Sequence, residues 1–98
     1  MTTWHWKVTW HHDFADEPVA ICSEIGEDGY EVRKVEEFRD GMLSWADGEH
    51  EHGRTGLAVI PMGRIEDIQA QAEFTASHIP RAEFEAVWHR ATDRQARP

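Results

Sequence analysis

Residues 3–11 alternate strictly between apolar and polar side chains, and no other feature of this chain restricts its fold as strongly. A period of two places successive side chains on opposite faces of an extended strand. Tryptophan also favours strands. The segment therefore predicts a half-buried β-strand. Its apolar residues are Trp4, Trp6, Val8 and Trp10, and its polar residues are His5, Lys7, Thr9 and His11.

Four further strands are predicted where apolar residues lie between turn signals. The signals are glycine-rich or Asp-Gly sequences, because glycine tolerates the positive φ of tight turns. The third of the five strands breaks its alternation, which predicts a β-bulge near Lys34. The further strands cover residues 19–25, 30–38, 42–46 and 56–60, with turns at 26–29 and 40–41 and a polar loop at 47–55.

Beyond residue 61 the apolar spacing changes from the strand period to that of a helix. A short helix is predicted first, then an extended or irregular stretch at 74–79, and then a second helix with Pro80 in its first turn. The apolar residues of the first helix are Ile65, Ile68 and Ala72, and those of the second are Phe84, Val87, Trp88 and Ala91.

Strands followed by helices predict the α+β class: an antiparallel sheet of four to five strands followed by two helices packed on one face. We expect the stripe of Trp4, Trp6 and Trp10 to pack against Phe84 and Trp88. The length of 98 residues fits a single domain over residues 1–98. The polar tail at residues 92–98 is expected to fray.

Acidic residues dominate the chain, whose formal net charge is −9. The excess is concentrated in residues 13–51, where thirteen acidic residues face three basic ones, a local balance of −10. Such a surface repels phosphate backbones and therefore disfavours nucleic-acid binding. It attracts a basic protein partner, a cationic ligand or metal ions, although the charge can also serve solubility alone.

Cys22 is the one cysteine of the chain, which excludes an intramolecular disulfide and a zinc or redox site of the CxxC type. It lies in a predicted strand among apolar residues, where a small core side chain is expected rather than a nucleophile. No apolar stretch reaches the roughly 20 residues that a membrane span needs. The N-terminus also has no apolar signal-peptide region, so a cytoplasmic location is expected.

The predicted third strand carries mixed charges over residues 31–37. Such a strand usually presents a solvated sheet face with cross-strand ion pairs.

Three segments resemble a bacterial family of small proteins, common in actinomycetes, that is defined as a domain of unknown function. They are Trp10-His11-His12-Asp13-Phe14 with Asp16-Glu17-Pro18, then Glu31-Val32-Arg33-Lys34-Val35-Glu36 with Phe38-Arg39-Asp40-Gly41, and finally Phe74 to Trp88. The resemblance implies a stand-alone protein of about this length. It supplies no activity, so it assigns no functional residue.

The chain has seven histidines, and four of them belong to the first set of candidate site residues. His11 and His12 lie beside Asp13, where the first strand meets an acidic loop, and His50 and His52 lie in the polar loop. Imidazole and carboxylate ligands suit zinc, copper or nickel. His50 and His52 would project to one side of an extended segment, so they are the candidate metal ligands if the loop folds over the first strand. The other interpretation is a solvated loop.

The acidic loop also holds the candidates for acid–base chemistry, which are His11, His12, Asp13, Asp16 and Glu17. Catalysis would require a group with a shifted pKa in a pocket. Their spacing does not distinguish such a role from hydrogen bonding within turns.

Trp45 is predicted near the end of the fourth strand, beside acidic residues. An exposed indole next to carboxylates can anchor a cationic or protein ligand, whereas a buried indole would belong to the core. The candidate binding residues are therefore Trp45, Asp13, Asp16, Glu17, His11 and His12.

Three functions remain open from the sequence. The first is a binding module for a basic protein, by analogy in size and charge with immunity proteins and antitoxins. The second is a metal-dependent or acid–base enzyme, or an accessory protein of a biosynthetic cluster. It would use the His11–Asp13 region together with His50 and His52. Apart from a divalent metal ion in that case, no cofactor is expected. The third is a structural protein that forms a homodimer through a sheet edge rather than remaining a monomer.

Overall fold

The computed structural model describes residues 2–53 and 55–96, with side chains up to residue 93. The described residues form six strands and two helices. All strand pairs are antiparallel, in the order β5-β4-β3-β2-β1-β6. The elements are β1 (Trp4–Trp10), β2 (Ala20–Ile25), β3 (Glu31–Glu37), β4 (Leu43–Ala46), β5 (Glu51–His52), α1 (Ile65–Gln69), β6 (Phe74–His78) and α2 (Arg81–Ala96).

This architecture confirms the α+β class, the antiparallel sheet and the first four predicted strands. Residues 56–60 do not form the predicted strand, because this segment crosses the sheet instead of pairing with one of its strands. The Ala58 amide donates to Glu31 Oε1, and Lys34 Nζ donates to the Gly56 carbonyl. The stretch at 74–79 forms edge strand β6, which the sequence left open.

The two helices lie on opposite faces of the sheet, so the expectation that both pack on one face is wrong. We call the two sides the Trp6 face and the Val35 face. On the Trp6 face, Ile65 of α1 belongs to a buried apolar cluster with four residues of the sheet. That cluster contains Trp6, Val8, Ile25, Ile65 and Ala76.

Helix α2 covers the Val35 face and not the tryptophan stripe. Its Phe84 is fully buried, and the Phe84 ring lies 5.3 Å from that of His5. Because strand side chains alternate, His5 and Trp6 point to opposite faces. Val35 and Cys22, which are paired across β3 and β2, are buried on the same face as His5. The predicted contact between the tryptophan stripe and Phe84 is therefore wrong.

A chain of charged groups lies between α2 and the sheet. The buried Glu24 carboxylate accepts hydrogen bonds from His5 Nε2 (2.8 Å) and from Arg33 Nε and Nη2 (2.7 and 3.0 Å). The Arg33 guanidinium also donates to Glu85 of α2 at 2.6 Å and lies over the Phe84 ring at 4.9 Å. The hydrogen bonds of Arg33 hold the pKa values of Glu24 and Glu85 below the ordinary glutamate value.

On the Trp6 face, a second polar network fastens the segment at 55–62 across β3. Buried Glu31 accepts hydrogen bonds from Ser23 Oγ at 2.8 Å and from the Ala58 amide at 2.9 Å, and it pairs with Lys34 at 3.2 Å. Thr55 Oγ1 donates to Glu36. The predicted cross-strand ion pairs are confirmed by Arg33 and Glu24. The predicted solvated face is wrong, because β3 is an inner strand and its Glu31 is buried.

A β-bulge does interrupt the third strand, but two residues before the predicted place. Glu24 pairs with Arg33 and Ile25 pairs with Glu31, so the register skips Val32. The predicted turns at Gly29 and Gly41 are confirmed, and both glycines adopt positive φ, 85° and 88°.

The described part of α2 continues to Ala96, so it includes most of the segment expected to fray, and residues 97–98 lie outside the described residues. Fraying there stays a prediction. No helix within the described residues is both long and apolar enough to cross a bilayer.

Candidate binding groove at the loop end of the sheet

The connection between β1 and β2, residues 11–19, is held in place at both of its ends. The Trp10 amide donates to the Val19 carbonyl at 2.9 Å, which closes the connection. His11 Nε2 and Thr75 Oγ1 share a hydrogen bond of 2.7 Å, which ties the connection to edge strand β6. His11 thus acts as a link between chain segments.

His12 organises the tip of this connection. Its Nε2 donates to the Pro18 carbonyl at 2.7 Å, and its Nδ1 accepts from the Phe14 amide at 2.9 Å. Because Nδ1 accepts, this geometry requires the neutral imidazole with its proton on Nε2. The ring also lies 4.2 Å from that of Trp10 and stacks on Phe14 at 5.3 Å. His12 therefore sets the position of the exposed Phe14 ring.

The turn between β3 and β4 lies beside this connection. The Met42 amide donates to Asp40 Oδ1 at 3.0 Å, and the Phe38 amide donates to the Met42 carbonyl at 2.9 Å. Arg39 Nη2 donates to the His12 carbonyl at 2.7 Å, which joins the turn to the connection. Two segments that are distant in sequence are thereby fixed side by side.

An open groove runs between these two segments; we call it the acidic groove. It consists of three adjoining depressions of about 480, 410 and 250 Å³, all lined in part by Asp16. Its apolar lining includes Trp10, Phe14, Phe38 and Met42. Its charged lining consists of Asp16, Glu17, Glu36, Arg39 and Asp40.

The acidic groove combines exposed apolar surface with negative charge. Phe14 and Met42 are 61% and 60% exposed. Four carboxylates face one guanidinium in its lining, so the local charge is negative. Such a site can desolvate apolar side chains of a ligand and pair with its cationic groups.

The structure brings the predicted binding residues together only in part. Asp16 and Glu17 line the acidic groove. His12 packs against Trp10 and Phe14, which line the groove. Asp13 and His11 are exposed on the same connection, but they do not line the three depressions.

Trp45, the remaining predicted binding residue, lies on the Val35 face and not in the groove. It is half-buried on β4, edge-on to Trp88 of α2 with ring centroids 5.4 Å apart. Its Nε1 is buried and has no hydrogen-bond partner within the described residues. The geometry corresponds to the core interpretation that the sequence also allowed.

The predicted metal ligands His50 and His52 both lie beside Trp45, with ring centroids 6.3 and 6.1 Å from the indole. Asp47 accepts hydrogen bonds from the Glu49 and His50 amides, which lower the pKa of its carboxyl group. No group of three or more possible ligands that could hold a metal ion occurs in residues 2–53 and 55–96.

The two histidine regions do not form a common site. Three strands separate β5, which carries His52, from β1, which leads to His11 and His12. At about 4.8 Å between neighbouring strands, the two regions lie well beyond the reach of one metal ion. The condition for a joint metal site, that the polar loop folds over the end of the first strand, is therefore not met.

Sequence reasoning missed most of the lining of the acidic groove, including the apolar residues Phe14, Phe38 and Met42. Phe14 and Met42 carry a signal that can be recognised afterwards, because each is a large apolar residue within or next to a polar turn. Phe38 ends the predicted strand and has no such signal. That two turns meet at one groove is a consequence of the strand order.

Comparison with known proteins gives one positive result. No curated protein and no solved structure shows significant similarity to the chain. A family model described as "Domain of unknown function (DUF6881)" matches residues 4–93, which include all six strands and most of α2. The chain therefore belongs to the DUF6881 family of domains of unknown function.

Proposed function

We propose that this protein is a binding module for a basic protein partner, of the immunity-protein or antitoxin kind, and that the acidic groove is its contact surface. The observation that carries the proposal is the pairing of exposed Phe14 and Met42 with the carboxylates of Asp16 and Glu17. Interface centres are commonly built from aromatic and methionine side chains with a polar rim.

The charge of the whole chain supports this choice of partner. A net charge of −9 steers a basic protein toward the surface and raises the rate of association. Salt screens such steering, since the Debye length falls from about 10 Å at 0.1 M ionic strength to about 3 Å at 1 M. Binding should therefore weaken as salt concentration rises.

The bacterial cytoplasm is the location that we propose for this activity. The sequence resemblance favours a bacterial origin, and a single buried thiol fits a reducing compartment.

The first experiment is capture of the partner from a lysate of the native host at about 0.05 M and 0.5 M salt. We expect a basic protein that binds at low salt and is lost when Phe14→Ser is combined with Asp16→Asn. Truncating an interface anchor typically weakens binding by about 2 kcal/mol or more, roughly thirtyfold in Kd.

The matched control is Asp67→Asn combined with Glu73→Gln, which removes exposed acidic charges outside the groove. We expect this variant to retain the partner. If the groove variant and the control retain it equally well, or if the captured protein is acidic, the proposed function is wrong.

A further inference from the structure

Four turns within the described residues are closed by the same local hydrogen bond, in which a side-chain acceptor receives the amide N–H of the residue two positions later. In three of them the acceptor is a carboxylate Oδ1: Asp28 accepts from Tyr30, Asp40 from Met42 and Asp47 from Glu49, at 2.9–3.0 Å. In the fourth, beside the acidic groove, the acceptor is His12 Nδ1, which receives the Phe14 amide at 2.9 Å. An imidazole thus performs at the groove what a carboxylate performs in the other three turns.

The two kinds of acceptor respond differently to acid. An imidazole changes its charge between about pH 8 and pH 5, and both of its nitrogens are donors once it is protonated. The hydrogen bond from His12 Nε2 to the Pro18 carbonyl survives this change, because Nε2 donates in both states. The bond at Nδ1 does not survive, since a protonated Nδ1 would meet the Phe14 N–H group donor to donor. Protonation therefore leaves His12 attached to Pro18 and detaches it from Phe14.

Phe14 is the residue whose position depends on this bond. It is 61% exposed and lines the acidic groove. Its ring centroid lies 5.3 Å from that of His12 and 6.1 Å from that of Trp10. An exposed side chain is held by few packing contacts, so a hydrogen bond to its own backbone amide decides a larger share of its orientation. Loss of the bond at Nδ1 should therefore free Phe14 to leave the groove.

Several charged and titratable groups surround His12. They are His11, Asp13, Asp16 and Glu17 on its own connection, Glu36, Arg39 and Asp40 at the end of β3 and in the turn that follows, and Glu73 before β6. Arg39 donates to the His12 carbonyl at 2.7 Å, so it fixes the backbone of His12 and not the imidazole ring. His11 is the other imidazole of this set, and its titration has to be separated from that of His12.

We propose that His12 is a positioning residue that makes the acidic groove sensitive to pH: neutral His12 holds Phe14 in the groove, and protonated His12 releases it. A basic partner therefore binds more tightly above neutral pH than at about pH 5.5. The added positive charge of the imidazole acts in the same direction, because it reduces the attraction for a basic protein. The statement about binding rests on the function proposed above, whereas the release of Phe14 needs no partner.

The release of Phe14 can be measured on the full chain alone. Nitrogen–proton correlation spectra between about pH 8 and pH 5 follow the Phe14 amide and the two ring nitrogens of His12. We expect Nδ1 to carry no proton at about pH 8, and the Phe14 amide and Nδ1 resonances to shift with one common midpoint. A proton on Nδ1 at that pH, or a Phe14 amide that does not follow the His12 ring, would overturn the proposal.

The variant His12→Asn keeps the acceptor and removes the titration. An asparagine Oδ1 can receive the Phe14 amide at every pH, as the carboxylates do in the other three turns. We expect the Phe14 amide of this variant not to shift between about pH 8 and pH 5. The matched control is His11→Gln, which removes the neighbouring imidazole and can still bond to Thr75. This control should keep the titration of Phe14, and its loss there would assign the effect to His11 instead.

Binding of the basic partner tests the consequence for the groove. From about pH 7.5 to pH 5.5 we expect Kd to rise about fivefold in the wild type and in His11→Gln, the effect of losing one hydrogen bond, and to stay nearly constant in His12→Asn. Equal pH dependence in His12→Asn and the wild type would overturn this proposal and leave the proposed function intact. If no basic partner is captured at all, the proposed function fails, and the spectra still decide whether His12 releases Phe14.

Discussion

Arg33 connects more of the structure than any other side chain on the Val35 face. It forms hydrogen bonds with Glu24 on β2 and Glu85 on α2, and its guanidinium lies 4.9 and 5.1 Å from the Phe84 and Trp88 rings. The side chain is 17% exposed, whereas that of Glu24 is 5% exposed. Arginine suits this position because its planar group can bind two carboxylates and stack on aromatic rings at once.

Replacing this guanidinium tests its importance. We expect Arg33→Met to lower the free energy of unfolding by about 3–5 kcal/mol, because the buried Glu24 charge loses its main partner. Arg64→Met is the matched control, since its pair with Glu66 is exposed and contributes about 0–1 kcal/mol. Urea unfolding of both variants measures the difference. Equal losses would show that the Arg33 network contributes no more than a surface ion pair.

Cys22 illustrates how burial changes a reactive group. Burial raises the pKa of its thiol above the ordinary value, because the thiolate would lose its hydration. We expect a thiol reagent to modify native protein slowly at about pH 8 and to react at once in denaturant. Complete reaction of the native protein within minutes would contradict the buried position of Cys22.

At the scale of elements, β6 is the edge strand that remains open to other chains. The Ile79 amide donates to the His5 carbonyl, so the alternation of an antiparallel ladder points the polar backbone groups of Phe74, Ala76 and His78 away from β1. Helix α1 covers part of this edge, because Gln69 Nε2 donates to the Ala76 carbonyl at 2.9 Å. Native proteins protect edges in this way against unwanted pairing.

Removing the Gln69 amide should therefore expose the edge. We expect Gln69→Ala to lower stability by about 1 kcal/mol and to strengthen self-association relative to the wild type. The control is Gln71→Ala, whose amide donates at 3.3 Å to the Asp67 carbonyl on the solvent side. Sedimentation at rising protein concentration measures the self-association of both variants. Identical association of the two variants would rule out a protective role for Gln69, and association through β6 would support the homodimer hypothesis.

At the scale of the whole molecule, most of the acidic excess stays on the surface, and a smaller part is enclosed by the fold. Glu24 and Glu31 are among the most buried residues, at 4% and 5% exposure. Each has cationic or hydrogen-bonding partners from other strands, which satisfies the requirement that buried charges be paired. The carboxylates that remain exposed determine how the surface attracts other molecules.

The free energy of unfolding should fall in acid, because paired carboxylates become protonated. The folded-state pKa values of Glu24 and Glu85 lie below the ordinary value of 4.5, mainly through hydrogen bonds from Arg33. The unfolded chain therefore binds more protons below about pH 4.5, and the stabilisation is lost as pH falls through the lowered folded values. Unfolding free energies between about pH 6 and pH 3 measure this loss. We expect a shallower dependence in Arg33→Met, and equal dependence in both proteins would contradict the assigned cause.

The sequence by itself determined the local features of this protein. Strict alternation in residues 3–11 specified β1 and the faces of its side chains, and glycines at 29 and 41 specified turns with positive φ. The spacing of Phe84, Trp88 and Ala91 specified the buried side of α2. These features depend on neighbours within a few residues, so they can be recognised without knowledge of the rest of the chain.

Only the tertiary structure decided which element covers which face. Alternation shows that Trp6 and His5 point in opposite directions, but both faces of the sheet are partly apolar, and periodicity does not assign α1 or α2 to either. The burial of Glu24 and Glu31 and the placement of Phe14 and Met42 along one groove likewise depend on strand order. Strand order follows from contacts between residues far apart in sequence. No local sequence pattern specifies which of these contacts form.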